Sequence, residues 1–385
     1  VNALLTFGEG GTAVPYLVSG WAPPEPGFTW TIDTGATLIA PIPDGPGELF
    51  LELTLNPYNP PHQRARALRI TANDQTIGAE SYEGLDTIAF ALPSGITGPT
   101  AEIGLHHESG PSPAALGLST DSRALGFMLS GLRLYRRPYR PLADVTVLPP
   151  IPLPPDSTGR LHAIRARTGL TPRQLAEQFE SLGRNCEFGL FQRHFEAEPL
   201  GLLRFAAITL DDLVHGLDDA FADLGAEIAI ERFPIGKNRF EFLVKDNRYH
   251  LTLHSTRTTD DDTTEADIAE QYRTHLPFLG RHLRGRLAEG SHIHVFQRPG
   301  QLTYSQAVPV WNRLQSYGPN ALLYVDQDPA LPCGAVEQRG HGLYHGKLAT
   351  MAPHTDAGQL DQGAWLSLCA NAYHLWTRSF LGRPA

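Results

Sequence analysis

A chain of 385 residues with 41 % apolar and 19 % charged side chains has room for two or three domains, each with its own core. Its 41 acidic residues outnumber 31 basic ones, and the formal charge of −10 excludes a nucleic-acid phosphate backbone as the main partner while suiting a neutral or basic ligand. No run approaches the roughly 20 apolar residues of a membrane span, and the opening VNALLTFGEGG lacks the basic and apolar parts of a signal peptide.

Cysteine usage points the same way. Cys186, Cys333 and Cys369 are odd in number, far apart and without C-x-x-C spacing, so neither a disulfide framework nor a cysteine zinc site is implied. A reducing, cytoplasmic location is the expectation, with no cofactor and no resident metal.

Residues 1–136 alternate short apolar runs with turn residues: YLVSGW, FTWTI, ATLIAPI, LFLELTLN, ALRITAN, TIAFALP, AEIGLHH and GFMLSGLRLYR. This spacing predicts an all-β sandwich with no helix. In LFLELTL, Leu49, Leu51, Leu53 and Leu55 fall on one face and belong to the core. Asn73-Asp74 marks a hairpin turn, because both residues tolerate left-handed backbone angles.

Tyr16, Gly20, Trp21, Pro24, Glu25, Gly27 and Trp30, with Asp121, Arg123, Leu125, Gly126 and Phe127, make this first third similar to β-sandwich modules that accompany enzymes of bacterial surface-polysaccharide synthesis. The resemblance implies a jelly-roll-like fold and a carbohydrate or glycoconjugate partner. Trp21 and Trp30 offer flat faces for sugar rings or bulk for the core, and His106, His107 and Glu108 offer polar groups for a rim.

From residue 137 to 157 proline is too dense for a helix or a central strand, which predicts an extended linker. Residues 158–385 then alternate helical and strand patterns without internal repeat, predicting an α/β or α+β domain with at least one parallel strand pair. Thr171-Pro172 reads as the start of a helix that Gly183 ends. Thr209 caps a helix through Leu224. RFEFLVKDNRYHLTLHS is a hairpin turning at Asp246-Asn247, and 263–287 is a long helix with Pro277 inside it.

The second domain is organised around SLGRNCEFGLFQRHFEAEPLGLLRF, residues 181–205. Asn185 reads as an N-cap and Cys186 as a first helical residue, ahead of the apolar face Phe188, Leu190, Phe191 and Phe195. A thiol over unpaired backbone N–H groups at the positive end of a helix favours the thiolate, so a lowered pKa is expected. A packed, inert cysteine is the competing reading. The effect of Glu187 has no sign in sequence alone, since it opposes a thiolate if it points inward and favours the helix start otherwise.

SLGRNC, LLRF, a strand ending in LHS, YRTHLPFLGRHL and HVFQRP resemble an uncharacterised bacterial family labelled papain-like cysteine peptidases, over most of residues 175–330. The resemblance implies a papain-like domain with Cys186 as nucleophile and His254 as its base. Two departures stand out: the family's Pro-Phe-Asp-Trp segment is Phe205-Ala206-Ala207-Ile208 here, and its His-Asp is His254-Ser255.

A histidine base needs an orienting group, and Asp326 at the end of the strand LLYVD is chosen over Asn312 and Asp328. Arg193 and Arg204 are the candidates for binding a carboxylate or phosphate on the substrate, or are tied to nearby glutamates. His250 shares a strand face with His254. A competing arrangement brings His250, His254, His292 and His294 together on a metal. Phosphate-loop, dinucleotide and G-x-S-x-G signatures are absent. The leading expectation is cysteine-dependent hydrolysis or acyl transfer on an envelope or polysaccharide-linked substrate; a sugar-transferring enzyme and a non-catalytic glycan-binding protein are the alternatives.

Overall fold

In the computed structural model, which describes residues 4–45, 47–61, 63–137, 146–328, 330–352 and 359–379, the chain folds as two units, Val1–Tyr139 and Arg140–Ala385. The first is a sandwich of two antiparallel sheets. One contains β1 (Leu4–Thr6), β3 (Thr29–Ile32), β5 (Glu48–Pro57), β8 (Asp86–Ala91) and β10 (Leu125–Arg137), in the order β1-β10-β5-β8 with β3 also on β10. The other runs β2 (Leu17–Ser19), β4 (Gly35–Pro41), β9 (Thr100–His106), β6 (Arg66–Ala72), β7 (Gln75–Tyr82). Leu49, Leu51, Leu53 and Leu55 enter one core with Leu38, Ile70, Ile103, Leu105 and Phe127. Each such buried side chain stabilises the fold by about 1.5–3 kcal/mol.

The alternation in β5 is less clean than its sequence, because Phe50 and Glu52 on the opposite face are also buried. Phe50 stacks on Tyr135 and Glu52 pairs with Arg133 at 2.7 Å. Asn73 and Asp74 form the β6–β7 turn with φ of 45° and 65°.

The second unit is α/β. Residues 138–145 of the predicted linker lie outside the described residues, and Val147–Leu148 forms β11, an edge strand where proline-rich flanks are tolerated. The main sheet has the order β11-β19-β20-β18-β17-β12, with β12 (Phe179–Ser181), β17 (Ile293–Gln297), β18 (Ala321–Asp326) and β20 (Leu343–Lys347) mutually parallel and β19 (Val336–Gly340) antiparallel. One face packs on α1 (Ser157–Thr168), α2 (Pro172–Ala176), α3 (Glu187–His194) and α7 (Gln362–Ser379) through Ile164, Leu175, Phe188, Phe191, Trp365 and Leu366. Beside α4 (Leu210–Asp218) and α5 (Glu265–Glu289), α6 (Tyr304–Tyr317) packs on β18.

The helix expected from Pro172 to Gly183 is instead a single turn followed by strand β12. Thr171 and Gln174 cap that turn reciprocally, but pairing of Phe179–Ser181 with Ile293–Val295 of β17 overrides continued helix. A second, antiparallel sheet has the order β13 (Ala206–Ala207), β16 (Leu251–Thr258), β15 (Arg239–Asp246), β14 (Ile228–Gly236). Among the described residues no helix is long and apolar enough to cross a membrane.

Candidate functional site

The loop from β12 to α3 carries Cys186. Gly183 and Arg184 both take left-handed backbone, with φ of 88° and 87°, and turn the chain sharply into the helix. Cys186 is the N-cap itself in helical backbone geometry, not the first residue inside the helix; the Asn185 Oδ1 accepts from the Glu187 N–H at 3.0 Å. Gln297 at the end of β17 donates to the same Asn185 oxygen, fastening this loop to the neighbouring strand. Glu187 points away from the thiol into the core, where it accepts from Trp365 Nε1 at 3.0 Å and from the Ala352 N–H at 3.1 Å. Its acidity is reduced, first by burial.

The thiol lies on the other side of the free value from the one expected at a helix start. Burial pushes Cys186 up, the Glu241 carboxylate pushes it further, and Arg193 pulls it back only in part. The resting group is therefore a thiol, and a nucleophile there requires a base.

That same Glu241 carboxylate receives His254. Glu241 Oε2 lies 3.0 Å from His254 Nδ1, and Oε1 accepts from the Thr256 N–H at 3.2 Å. The pairing of β15 with β16 slips between Glu241 and Leu243, and Thr256 at the slip has φ of 60°, costly for a β-branched residue. β16 runs on past His254 to Thr258 instead of ending at LHS, and the distortion turns its middle so that His254 and the Thr256 backbone both meet Glu241. His254 keeps 43 % of its side chain exposed, and Phe233 of β14, itself 45 % exposed, meets it edge-on. Glu241 is the site residue that sequence reasoning missed. The available signal was the hairpin, which sets an acidic residue of RFEFLVKD across from LHS, but the slipped register is not visible in residue types.

Asp326 has a different partner from the one expected. Its Oδ1 meets His345 Nε2 at 2.8 Å and accepts from the Asp328 N–H at 3.0 Å, and Oδ2 accepts from the Leu302 N–H at 2.8 Å. It is fully buried and fastens the loops after β17 and β18; the carboxylate on His254 is Glu241. Arg193 and Arg204 both pair with Glu198, at 2.8 and 2.5 Å, and both lie over the Phe205 ring. Arg204 is buried and also donates to the carbonyls of Ala197 and Gly189.

His250 precedes β16 rather than lying on it, with φ of 46°, and contacts Asp212 of α4 at 2.7 Å with 71 % of its side chain exposed. The four histidines considered for a metal have separate surroundings: His292 meets Arg286 and Ser291, and the fully buried His294 meets Asn320 at 3.1 Å. Among the described residues no three His, Cys, Asp or Glu side chains stand close enough to hold a metal ion.

In the sandwich the two tryptophans part company. Trp21 packs on Phe7 and donates to the Thr37 carbonyl at 2.8 Å, so it belongs to the core's margin. Trp30 is half-buried on β3 and meets Phe28 and Tyr58 edge-on, with ring centroids 6.0 and 6.2 Å away. Glu25, bridged to Phe28, pairs with Arg123 at 2.8 Å, and Arg123 pairs with Asp121 at 2.6 Å. His107 is buried against Thr31 at 2.7 Å, which removes it from the rim assigned to it; His106 is half-buried and meets Thr71 at 3.1 Å, and Glu108 is exposed.

No family model matches this chain, and no curated protein does. Solved structures similar to about a third of it include the C-terminal family 6 carbohydrate-binding module of the laminarinase LamC from Zobellia galactanivorans, at 12 % identity and TM-score 0.22, covering 35 % of this chain and 100 % of that one. A family 35 carbohydrate-binding module from Clostridium thermocellum is similar at 9 % identity and TM-score 0.21, over 36 % of this chain and 99 % of that one. The acetyl xylan esterase Est2A from Butyrivibrio proteoclasticus is similar at 11 % identity and TM-score 0.23, over 36 % and 35 %.

Proposed function

We propose that this chain is a glycan-handling protein whose sandwich unit contacts carbohydrate through Trp30, Phe28 and Tyr58. The observation that carries the reading is that half-buried aromatic cluster beside the Glu25–Arg123–Asp121 ion-pair network. Flat rings beside fixed polar groups suit a sugar, which presents C–H faces and hydroxyl edges to the same surface. Trp30→Ala in the full chain should weaken glycan binding by at least about tenfold, which is ~1.4 kcal/mol, whereas Trp21→Ala should cost stability instead. A glycan-array screen checks this, and a folded protein without any hit above background overturns it.

A second reading concerns the α/β unit and is favoured by the Glu241 carboxylate, which meets His254 and whose charge reaches Cys186. Here the unit catalyses acyl transfer or hydrolysis with papain-like chemistry. Among the described residues His254 is hydrogen-bonded to Glu241 and not to the Cys186 thiol, so His254 closes on the sulfur to take its proton as the sulfur bonds to an ester or amide carbonyl carbon, and Glu241 holds the imidazole by its Nδ1–H and stabilises the imidazolium. The imidazolium returns that proton to the departing alcohol or amine as the C–O or C–N bond breaks. Water or an acceptor hydroxyl, deprotonated by His254, then attacks the thioester carbon and releases the cysteine. An O-acylated polysaccharide is the substrate that joins this chemistry to the sandwich.

A further inference from the structure

Between β12 and the loop after α3 a shallow open recess is lined by Glu180, Gln192, Gly201, Arg204, Arg286 and His292 among others. Three atoms in its wall are buried and without a hydrogen-bond partner: Glu180 Oε1, Gln192 Oε1 and Arg204 Nε. A desolvated polar atom left unpaired is costly, and native folds keep few of them. Here two acceptors and one donor converge on a single recess.

Their companions are otherwise occupied. Gln192 Nε2 donates to the carbonyls of Ala176 and Phe179, at 3.1 and 2.9 Å, which fixes its oxygen as the free end. The remaining Arg204 nitrogens are spent on Glu198, Gly189 and Ala197. Glu180 is only 6 % exposed. Burial raises its pKa to about 7, with Arg286 opposing.

The charges choose the ligand class. Two guanidinium groups in the wall oppose a cation, and above pH 7 the Glu180 carboxylate opposes an anion. A neutral group remains, with two donors to satisfy the acceptors and one acceptor for Arg204 Nε. Vicinal hydroxyls provide this set, each hydroxyl having one donor and two acceptor lone pairs.

We propose that the Glu180–Gln192–Arg204 recess is a binding site for a vicinal diol on a neutral sugar or polyol. This site does not involve Cys186 and stands or falls separately from both readings above. Gly201 supplies the control: a Cβ added there meets Glu180 Oε1 at 3.6 Å and Arg204 Cβ at 3.7 Å, ordinary contacts, so Gly201→Val narrows the mouth beside the Glu180 carboxyl.

The test is saturation-transfer NMR on the full chain with D-glucose, D-galactose and myo-inositol, in a Trp30→Ala background that removes the sandwich contact. The expected result is saturable millimolar binding of at least one probe, weakened at least tenfold by Gly201→Val and by Glu180→Leu. Gly201→Val alone decides the matter if the Glu180 variant does not fold. Absence of saturable binding, the behaviour of a site that holds ordered water only, overturns the proposal, as does binding that Gly201→Val leaves unchanged.

Discussion

Cys186→Ala is expected to abolish turnover of an activated ester such as p-nitrophenyl acetate, and Glu241→Gln to slow turnover while speeding alkylation of the thiol. The opposite signs follow from the two connections of one carboxylate. As the partner of His254 Nδ1, Glu241 holds the base, and losing such an orienting group costs on the order of 10²-fold or more. As a negative charge near Cys186 it raises the thiol pKa, so its removal increases the thiolate fraction at fixed pH. His254→Ala should lower turnover by roughly 10²–10⁴-fold. Arg193→Gln should slow labelling, because the cation that favours the thiolate is lost. Iodoacetamide labelling of each cysteine, followed by peptide mass spectrometry from pH 6 to 10, reads these directions. In the wild type Cys186 should label slowly at neutral pH, and Cys369, fully buried with its acidity suppressed by burial, slower still. Unchanged turnover in Cys186→Ala sinks the cysteine reading, and a Glu241→Gln thiol that labels more slowly sinks the assignment of Glu241.

The sandwich was legible in the sequence because alternation and turn chemistry are local: Leu49 to Leu55 and Asn73-Asp74 declare their faces and their turn within a few residues. Trp30 was visible as an aromatic, but its separation from Trp21 was not, since both are apolar bulk between the same turns and only packing divides them. Around Cys186 the motif gave the position of the loop. It could not give the direction of the pKa, because the helix-start effect is local whereas burial and the approach of Glu241 come from tertiary structure. Asp326 ends β18, and Glu241 lies inside β15. Which of them reaches His254 depends on the slipped β15–β16 register and on His345 taking Asp326, and neither leaves a periodic mark. Arg193 and Arg204, read first as substrate-binding groups and alternatively as partners of nearby glutamates, both pair with Glu198.

Glu180 and His294 are expected to tilt the pH dependence of stability in opposite directions, so that single variants expose slopes hidden in the wild type. Burial raises Glu180 from 4.5 to about 7, Arg286 opposing. Its contribution is fully present below pH 4.5 and is lost as pH rises through 7. Burial lowers His294 from 6.5 to about 4, and the nearby His292 and Arg286 charges add to this against the Asn320 hydrogen bond. Its contribution is present above pH 6.5 and is lost as pH falls through 4. At ~1.4 kcal/mol per pH decade each amounts to about 3 kcal/mol over nearly the same window. Glu180→Gln removes the alkaline loss, so the variant should lose about 3 kcal/mol relative to wild type as pH falls from 7 to 4.5. His294→Gln should show the reverse difference. Arg286→Gln raises both groups toward their protonated forms, weakening the acid loss and deepening the alkaline one. Urea titrations of the full chain at pH 4.5, 5.5, 6.5 and 7.5, reading the transition of the α/β unit, compare the variants. Parallel profiles for wild type and Glu180→Gln would show that the carboxyl in the recess is not held neutral by its burial.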